Sequence, residues 1–254
     1  MNEVSSRVAN LSPEQLARLA YELKGSKPRK AQEIPKRVVG DHCPLSFAQQ
    51  RLWFISQLEP DDPSYNCMEA LRMSGSLNIP LLQQTLHETV RRHEVLRTTF
   101  NLVDGEPAQI ISPHVKLNFT VIDLAGLPAS ERESQIGKLS AEGLRRRFDL
   151  TRGPLLRVVA IRVSEHEHAI LFATHHLICD GWSLDVLTRE IVALYAAFAE
   201  GRPSPLVELP LQYADFATWQ RERLTGTVLE EHLDYWRRHL AGAPQVLALP
   251  TDHP

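Results

Sequence analysis

The chain has 254 residues, of which 43% are hydrophobic and 23% charged, and its formal net charge is −3. This length and apolar content allow one large domain, or two small ones, with a sizeable core. A general nucleic-acid binder usually carries a basic stripe, and neither the net charge nor the 7% aromatic content fits that class. The composition therefore indicates a globular protein that does not bind nucleic acid.

Cysteine usage and the shortness of the apolar runs both favour the cytoplasm. The three cysteines, at positions 43, 67 and 179, form no CxxC pair. Disulfide frameworks and tetrahedral zinc sites need more cysteines at closer spacing, so we expect no disulfide and no metal site. The N-terminus lacks the pattern of a signal peptide, and no apolar run approaches the roughly 20 residues that span a bilayer. We therefore expect a soluble cytoplasmic protein without membrane contact.

Two segments precede the main body and differ in character. Residues 1–25 contain a predicted short helix, because Ser12 and Gln15 form a Ser-x-x-Gln capping box and leucines then recur at helical spacing. Residues 26–42 are polar, basic and interrupted by two prolines, which is typical of a linker. We interpret this linker as a solvated tether and the helix as a candidate docking element for a partner protein.

From residue 43 onward, apolar periodicity predicts a mixture of helices and strands. Helices are predicted over residues 45–58, 79–93, 128–147, 184–198, 212–224 and 229–240. Strands are predicted over residues 65–75, 96–103, 107–112, 117–122, 155–163 and 168–175, with hairpin turns at 104–105 and 164–167. Because the two types do not alternate strictly, the pattern favours an α+β layered domain over a doubly wound parallel sheet.

The segment from His175 to Ser183, HHLICDGWS, carries the clearest chemistry. Two histidines end an apolar strand, and neighbouring residues on a strand point to opposite faces. The pair therefore does not form a shared metal site, and only one imidazole can face a given cleft. His176 is the candidate for the open side, where imidazole suits proton exchange near pH 7. His175 is predicted to make a structural hydrogen bond.

The residues that follow suggest how the site is supported. Asp180 could orient His176, accept backbone N–H bonds, or pair with an arginine. Gly181 is expected to permit a tight turn and close approach of a substrate. Ser183 is predicted to cap the next helix, whose N-terminus would face a developing oxyanion. A lone histidine or an Asp-Gly pair usually has only a structural role, but together they favour acyl transfer.

This segment resembles the HHxxxDGWS signature of condensation domains from non-ribosomal peptide synthetases. Three further stretches are similar to core motifs of that family and occur in the same order. They are SFAQQRLWFI at residues 46–55, RHEVLRTTF at 92–100 and YADFATWQ at 213–220. The resemblance covers residues 43–254 and implies a chloramphenicol-acetyltransferase-like lobe, the N-terminal one of two that flank a tunnel in a V-shaped domain. It also implies that the chain ends shortly after the fourth core motif, so that the C-terminal lobe is a missing partner.

The resemblance further implies an activity: transfer of a donor acyl or peptidyl group from a thioester to the α-amine of an acceptor aminoacyl thioester. The resemblance implies that His176, His175, Asp180 and Gly181 are the catalytic residues, and that His176 would hold the attacking amine and take its proton. Asp180 would be structural and paired with Arg92 or Arg97. Gly181 would leave room for the acceptor arm.

The same resemblance indicates the subtype and the partners. Trp182 and Ser183 match the subtype that joins L-residues, and the intact histidine pair argues against the cyclising subtype. The domain would bind no cofactor itself, because its substrates arrive on the phosphopantetheine arms of an upstream donor and a downstream acceptor carrier protein. With residues 1–42 before the domain, the donor would come from a separate protein or be an acyl starter.

Alignment of the substrates is expected to contribute more than proton abstraction. A free α-amine has a pKa of about 7.7–8.0, so much of it is nucleophilic at neutral pH. Thioesters are reactive toward amines, and orienting two tethered reactants removes a large entropic barrier. Two other classes remain open: a non-catalytic module that docks carrier or partner proteins, and a stand-alone acyltransferase that uses coenzyme A thioesters and self-associates.

Overall fold

The computed structural model describes residues 33–40, 42–244, 246 and 249–250. The helix predicted within residues 1–25 and the first part of the predicted linker lie outside these residues. The described residues from Pro35 onward belong to one structural unit.

Most elements begin and end within three residues of the predicted bounds, because most of them bury apolar residues at the helical or strand spacing that predicts them. The strands are β1 (Cys43–Pro44), β2 (Asn66–Ser74), β3 (Thr98–Val103), β4 (Glu106–Ile111), β5 (Asn118–Asp123), β6 (Leu156–Arg162) and β7 (Glu167–His175). The α-helices are α1 (Phe47–Leu58), α2 (Ile79–Arg92), α3 (Ala129–Arg145), α4 (Gly181–Ala199), α5 (Tyr213–Arg223) and α6 (Gly226–His239). None of these described helices is long and apolar enough to cross a bilayer.

A four-stranded mixed sheet lies at the centre of this unit, in the order β2-β7-β6-β5. Neighbouring strands are antiparallel except for the parallel pair β5 and β6. On one face Leu171 packs in a cluster with Ile136 of α3, and on the other Phe172 packs in a larger cluster with residues of α1, α2 and α4. Because both faces of the sheet are covered, β7 is buried almost throughout. The loop with His176 and Asp180 therefore starts from a strand that is fixed in the core.

The three-stranded sheet has the order β1-β4-β3 and contains the predicted hairpin. Asp104 and Gly105 connect β3 to β4 with φ values of 53° and 85°. Consecutive positive φ angles match the right-handed twist of a two-residue hairpin, and aspartate and glycine tolerate them best. The turn prediction is therefore confirmed.

Two local predictions require correction. The strand predicted from residue 96 begins at Thr98, because Glu94–Arg97 form a 3-10 turn that redirects the chain from α2 into β3. The solvated-tether interpretation also fails at Arg37, whose side chain is only 9% exposed. Its guanidinium donates to Asp215 at 2.7 Å and to Glu94 at 2.6 Å. This part of the predicted linker is therefore attached to the body by partly buried ion pairs.

Candidate active site

The two histidines lie where the C-terminal end of β7 passes into the loop that leads to α4. His175 is paired with Asn66 of β2, and the His176 N–H still donates to the Tyr65 carbonyl at 2.8 Å. The chain then turns, with the Ile178 N–H donating to the His175 carbonyl at 3.0 Å. A strand end, a loop and a helix N-terminus thus lie together, as predicted.

His175 points into the protein and is 7% exposed. Its Nδ1 accepts a hydrogen bond from the Leu177 N–H at 3.2 Å, and its ring packs edge-on against Phe148. Burial, assisted by the neighbouring His176, lowers the pKa of His175 to about 4. The ring is therefore neutral at pH 7, with its proton on Nε2. The predicted structural hydrogen bond is confirmed.

His176 is exposed and lines a cavity of about 390 Å³. Its Nδ1 lies 2.9 Å from the carbonyl oxygen of Cys179. A carbonyl can only accept, so Nδ1 carries the proton and the neutral ring presents the lone pair of Nε2. The cavity wall is largely apolar, with Leu52, Leu96 and Leu187 among its residues. The placement of His176 on the open side agrees with the prediction, and its catalytic role stays a prediction.

Asp180, and not Ser183, is the N-cap of α4. The Asp180 carboxylate accepts from the Ser183 N–H at 2.8 Å and from its hydroxyl at 2.5 Å. These two hydrogen bonds lower the pKa of Asp180, so the group stays ionised. Of the three alternatives for Asp180, acceptance of backbone N–H bonds is the one observed. The prediction that Ser183 caps the helix was wrong, because the aspartate three residues earlier reaches the same N–H group.

The arginine pairing predicted for Asp180 is also wrong within the described residues. Arg92 donates to Glu190 at 3.2 and 3.3 Å and to the Val207 carbonyl at 3.0 Å. Arg97 donates to the Ser112 carbonyl at 2.6 Å and lies 3.7 Å from Glu94. Arg92 therefore supports α4 well beyond the cap, and Arg97 supports the β3–β4 hairpin.

Two further sequence predictions about the start of α4 require correction. The helix N-terminus already faces the Asp180 carboxylate, and a negative cap opposes the predicted stabilisation of an oxyanion there. Gly181 has no left-handed φ, so no tight turn requires it. A Cβ at Gly181 would meet nothing within 4 Å, which leaves open space beside the cavity. Trp182 lines this cavity and is 78% exposed.

Gln49 of α1 is a supporting residue that the sequence pattern did not reveal. Its buried side chain donates to the Leu177 carbonyl at 3.1 Å and to Gln109 at 3.2 Å. Ser46 and Gln49 form a capping box at the start of α1, and the Ser46 hydroxyl lies 3.0 Å from that of Tyr213. The Ser-x-x-Gln pattern could have revealed the cap, but the contact with residue 177 is 128 positions away in sequence.

The family model described as a condensation domain matches residues 39–254. The chain therefore belongs to the condensation domain family. It is 44% identical to chondramide synthase cmdD of Chondromyces crocatus over 214 residues, which are 84% of this chain and 5% of that protein. It is 42% identical to phosphinothricin tripeptide synthetase PhsC of Streptomyces viridochromogenes over 100% of this chain and 24% of that protein. The chain thus spans a small part of these relatives.

Solved structures of two related domains have the same fold as this chain. The X-domain from teicoplanin biosynthesis, solved in complex with OxyB, matches with a TM-score of 0.76 and 30% identity over 87% of this chain and 48% of that one. The starter condensation domain of the rhizomide synthetase RzmA matches with a TM-score of 0.72 and 21% identity over 81% and 49% of the two chains. The predicted α+β fold, a chloramphenicol-acetyltransferase-like lobe, is confirmed.

Proposed function

We propose that this chain supplies the His176-bearing lobe of an enzyme that forms amide bonds in non-ribosomal peptide synthesis. The observation that carries the proposal is the fixed tautomer of His176, whose Nδ1–H is held by the Cys179 carbonyl while the ring lines a cavity. A histidine held in this way offers Nε2 as a hydrogen-bond acceptor to an incoming amine. The family membership of the chain supports the same reaction class.

In the proposed reaction, the acceptor α-amine attacks the carbonyl carbon of the donor thioester. A C–N bond forms, the C–S bond breaks, and the electron pair of that bond leaves with the donor thiol. Nε2 of His176 accepts a hydrogen bond from the amine and receives its proton, which then protonates the leaving thiolate. Asp180 takes no part in this transfer, because its carboxylate is occupied by Ser183.

The substrates and partners follow the same proposal. Donor and acceptor arrive on phosphopantetheine arms of two carrier proteins, and the C-terminal lobe closes the far side of the cavity. The open space at Gly181 supports entry of an acceptor arm there. Trp182 and Ser183 support the subtype that joins L-residues. The cytoplasmic location stays a prediction that depends on the cysteine usage.

The test combines this chain with the C-terminal lobe that the proposal requires and with loaded donor and acceptor carriers. His176→Ala is expected to lower the rate of amide formation about 100-fold or more, as for loss of a group that positions and deprotonates a nucleophile. His87→Ala is the matched control, because His87 is exposed on α2 away from the cavity. An unchanged rate in His176→Ala, or no amide from the intact sequence, would overturn the proposal.

A second candidate is a module that recruits another protein without catalysis. One observation favours it: the 30% identical X-domain was solved in complex with OxyB. If the chain is a recruitment module, the His176→Ala variant should still bind the partner protein. Neither that variant nor the unsubstituted chain should then form an amide bond. Comparison of the unsubstituted chain with the His176→Ala variant therefore distinguishes an amide-forming enzyme from a recruitment module.

A further inference from the structure

We infer that His93 is a second substrate-contacting residue, whose Nδ1 accepts a hydrogen bond from the acceptor α-amine in the cavity that His176 lines. This inference depends on the proposed function. His93 follows α2 directly, is 16% exposed in its side chain, and lines the same cavity as His176. It belongs to the RHEVLRTTF stretch, where only the two arginines were singled out from sequence.

The geometry fixes which nitrogen of His93 can contact a ligand. Nε2 lies 2.7 Å from a carboxylate oxygen of Glu190. A carboxylate can only accept, so Nε2 carries the proton, and Nδ1 is the acceptor of the neutral ring. No hydrogen bond joins Nδ1 to any residue that the structure describes. Any ligand in the cavity that bonds to a ring nitrogen of His93 must therefore use Nδ1.

Glu190 does not need His93 for charge compensation. Arg92 already donates two hydrogen bonds to this carboxylate. Burial would raise the pKa of Glu190, but the hydrogen bonds from Arg92 and His93 outweigh it and lower the pKa. The carboxylate therefore stays ionised and orients the imidazole. The contact with Glu190 therefore fixes the orientation of the His93 ring.

Two histidines in one cavity suit a primary amine. Each ring has one nitrogen fixed by an oxygen of the chain, Cys179 for His176 and Glu190 for His93. A primary amine has two N–H bonds and one lone pair. If the two rings accept the two N–H bonds, the lone pair is directed at the donor carbonyl, and the amine cannot rotate away from it. The reaction itself needs only the single proton transfer described above.

The test compares two acceptors, a primary α-amine and its N-methyl derivative, in the reconstituted amide-forming assay. The N-methyl amine has one N–H, so it can use only one of the two acceptors. His93→Ala is expected to lower kcat/KM about tenfold for the primary amine and less than about twofold for the N-methyl amine. Equal losses with both acceptors, or no loss with either, would overturn the inference. His176→Ala should slow both acceptors, and if it slows neither, the proposed function itself fails.

Two conservative variants separate contact from support. In His93→Asn the side-chain oxygen can take the place of Nδ1, whereas in His93→Gln the amide nitrogen can take the place of Nε2 and bind Glu190. Greater recovery of kcat/KM for the primary amine in the asparagine variant supports contact through Nδ1. Greater recovery in the glutamine variant would show that His93 acts only by holding Glu190, and would overturn the inference.

Discussion

Two adjacent histidines differ in chemistry because strand geometry points them to opposite sides of the sheet edge. His175 accepts through Nδ1 from a buried backbone N–H, whereas His176 donates through Nδ1 to a backbone carbonyl. In their neutral forms the two rings are therefore opposite tautomers. The inner ring stays neutral and fixes the loop, and the outer ring presents Nε2 to the cavity.

At the residue scale, we predict that His175 makes stability depend on pH. Its pKa is about 4 in the folded state, below its ordinary value of 6.5, so the unfolded chain binds a proton more readily. The free energy of unfolding should fall as pH is lowered from about 6.5 to about 4, by about 3 kcal/mol from this group. Above pH 6.5 its contribution is constant. Denaturant unfolding at a series of pH values measures this dependence.

The matched variant for that prediction is His175→Asn. Asparagine can still accept the Leu177 N–H but does not titrate, so its unfolding free energy should show a weaker pH dependence than that of the natural sequence. His87→Asn, on an exposed face, should keep the full dependence. Identical pH profiles for His175→Asn and the natural sequence would show that the ring is not held neutral by burial.

At the scale of elements, α4 is supported at two points that sequence patterns did not distinguish. Asp180 caps its first turn, and the pair Arg92 and His93 binds Glu190 further along. We predict that Asp180→Ala lowers the free energy of unfolding by about 1 kcal/mol, because the Ser183 N–H loses its acceptor. Asp180→Asn should lose less, since the amide oxygen can still accept. Denaturant midpoints of the three proteins measure the difference.

A double-mutant cycle tests whether Asp180 also pairs with an arginine. Asp180 and Arg97 have no contact in the structure, so the effects of Asp180→Asn and of the uncharged variant Arg97→Gln should add within about 0.5 kcal/mol. A coupling energy above about 1 kcal/mol would restore the predicted pair.

Local patterns explain what the sequence could predict, and distance along the chain explains what it could not. The elements and the hairpin turn follow from periodicity and from the residues Asp104 and Gly105, which act over a few positions. The opposite orientations of His175 and His176 follow in the same way. The partners of Arg92 and Arg97 depend on packing between distant segments, so charge and motif position alone assigned them wrongly. The cap was misassigned because Asp180 and Ser183 are both good N-cap residues.

At the scale of the whole molecule, the stretches that resemble the family's core motifs meet at the cavity. Gln49 of the first stretch supports Leu177, and Ser46 contacts Tyr213 of the fourth. Gln212, just before that tyrosine, donates to the Arg92 carbonyl at 2.9 Å in the second stretch. These bonds join α1, α2 and α5 to the histidine loop, so the four stretches form one hydrogen-bonded structure although they are far apart in sequence.

Arg37 extends this structure to a residue that precedes the family match at residue 39. Its guanidinium lies between Glu94 and Asp215, whose side chains are 21% and 5% exposed. Arg37→Ala would leave these two carboxylates without their shared cation, and we predict a loss of about 3 kcal/mol in the free energy of unfolding. The measurement is denaturant unfolding of the full chain at pH 7.

The neighbouring Lys36 provides the control, because it is exposed and makes no ion pair among the described residues. Lys36→Ala should change the free energy of unfolding by less than about 0.5 kcal/mol. Arg37→Lys should recover only part of the loss, since an ammonium group cannot bridge two carboxylates with the geometry of a planar guanidinium. Equal effects of the alanine variants at 36 and 37 would mean that this segment is a tether after all, and that the body of the domain begins later in the chain.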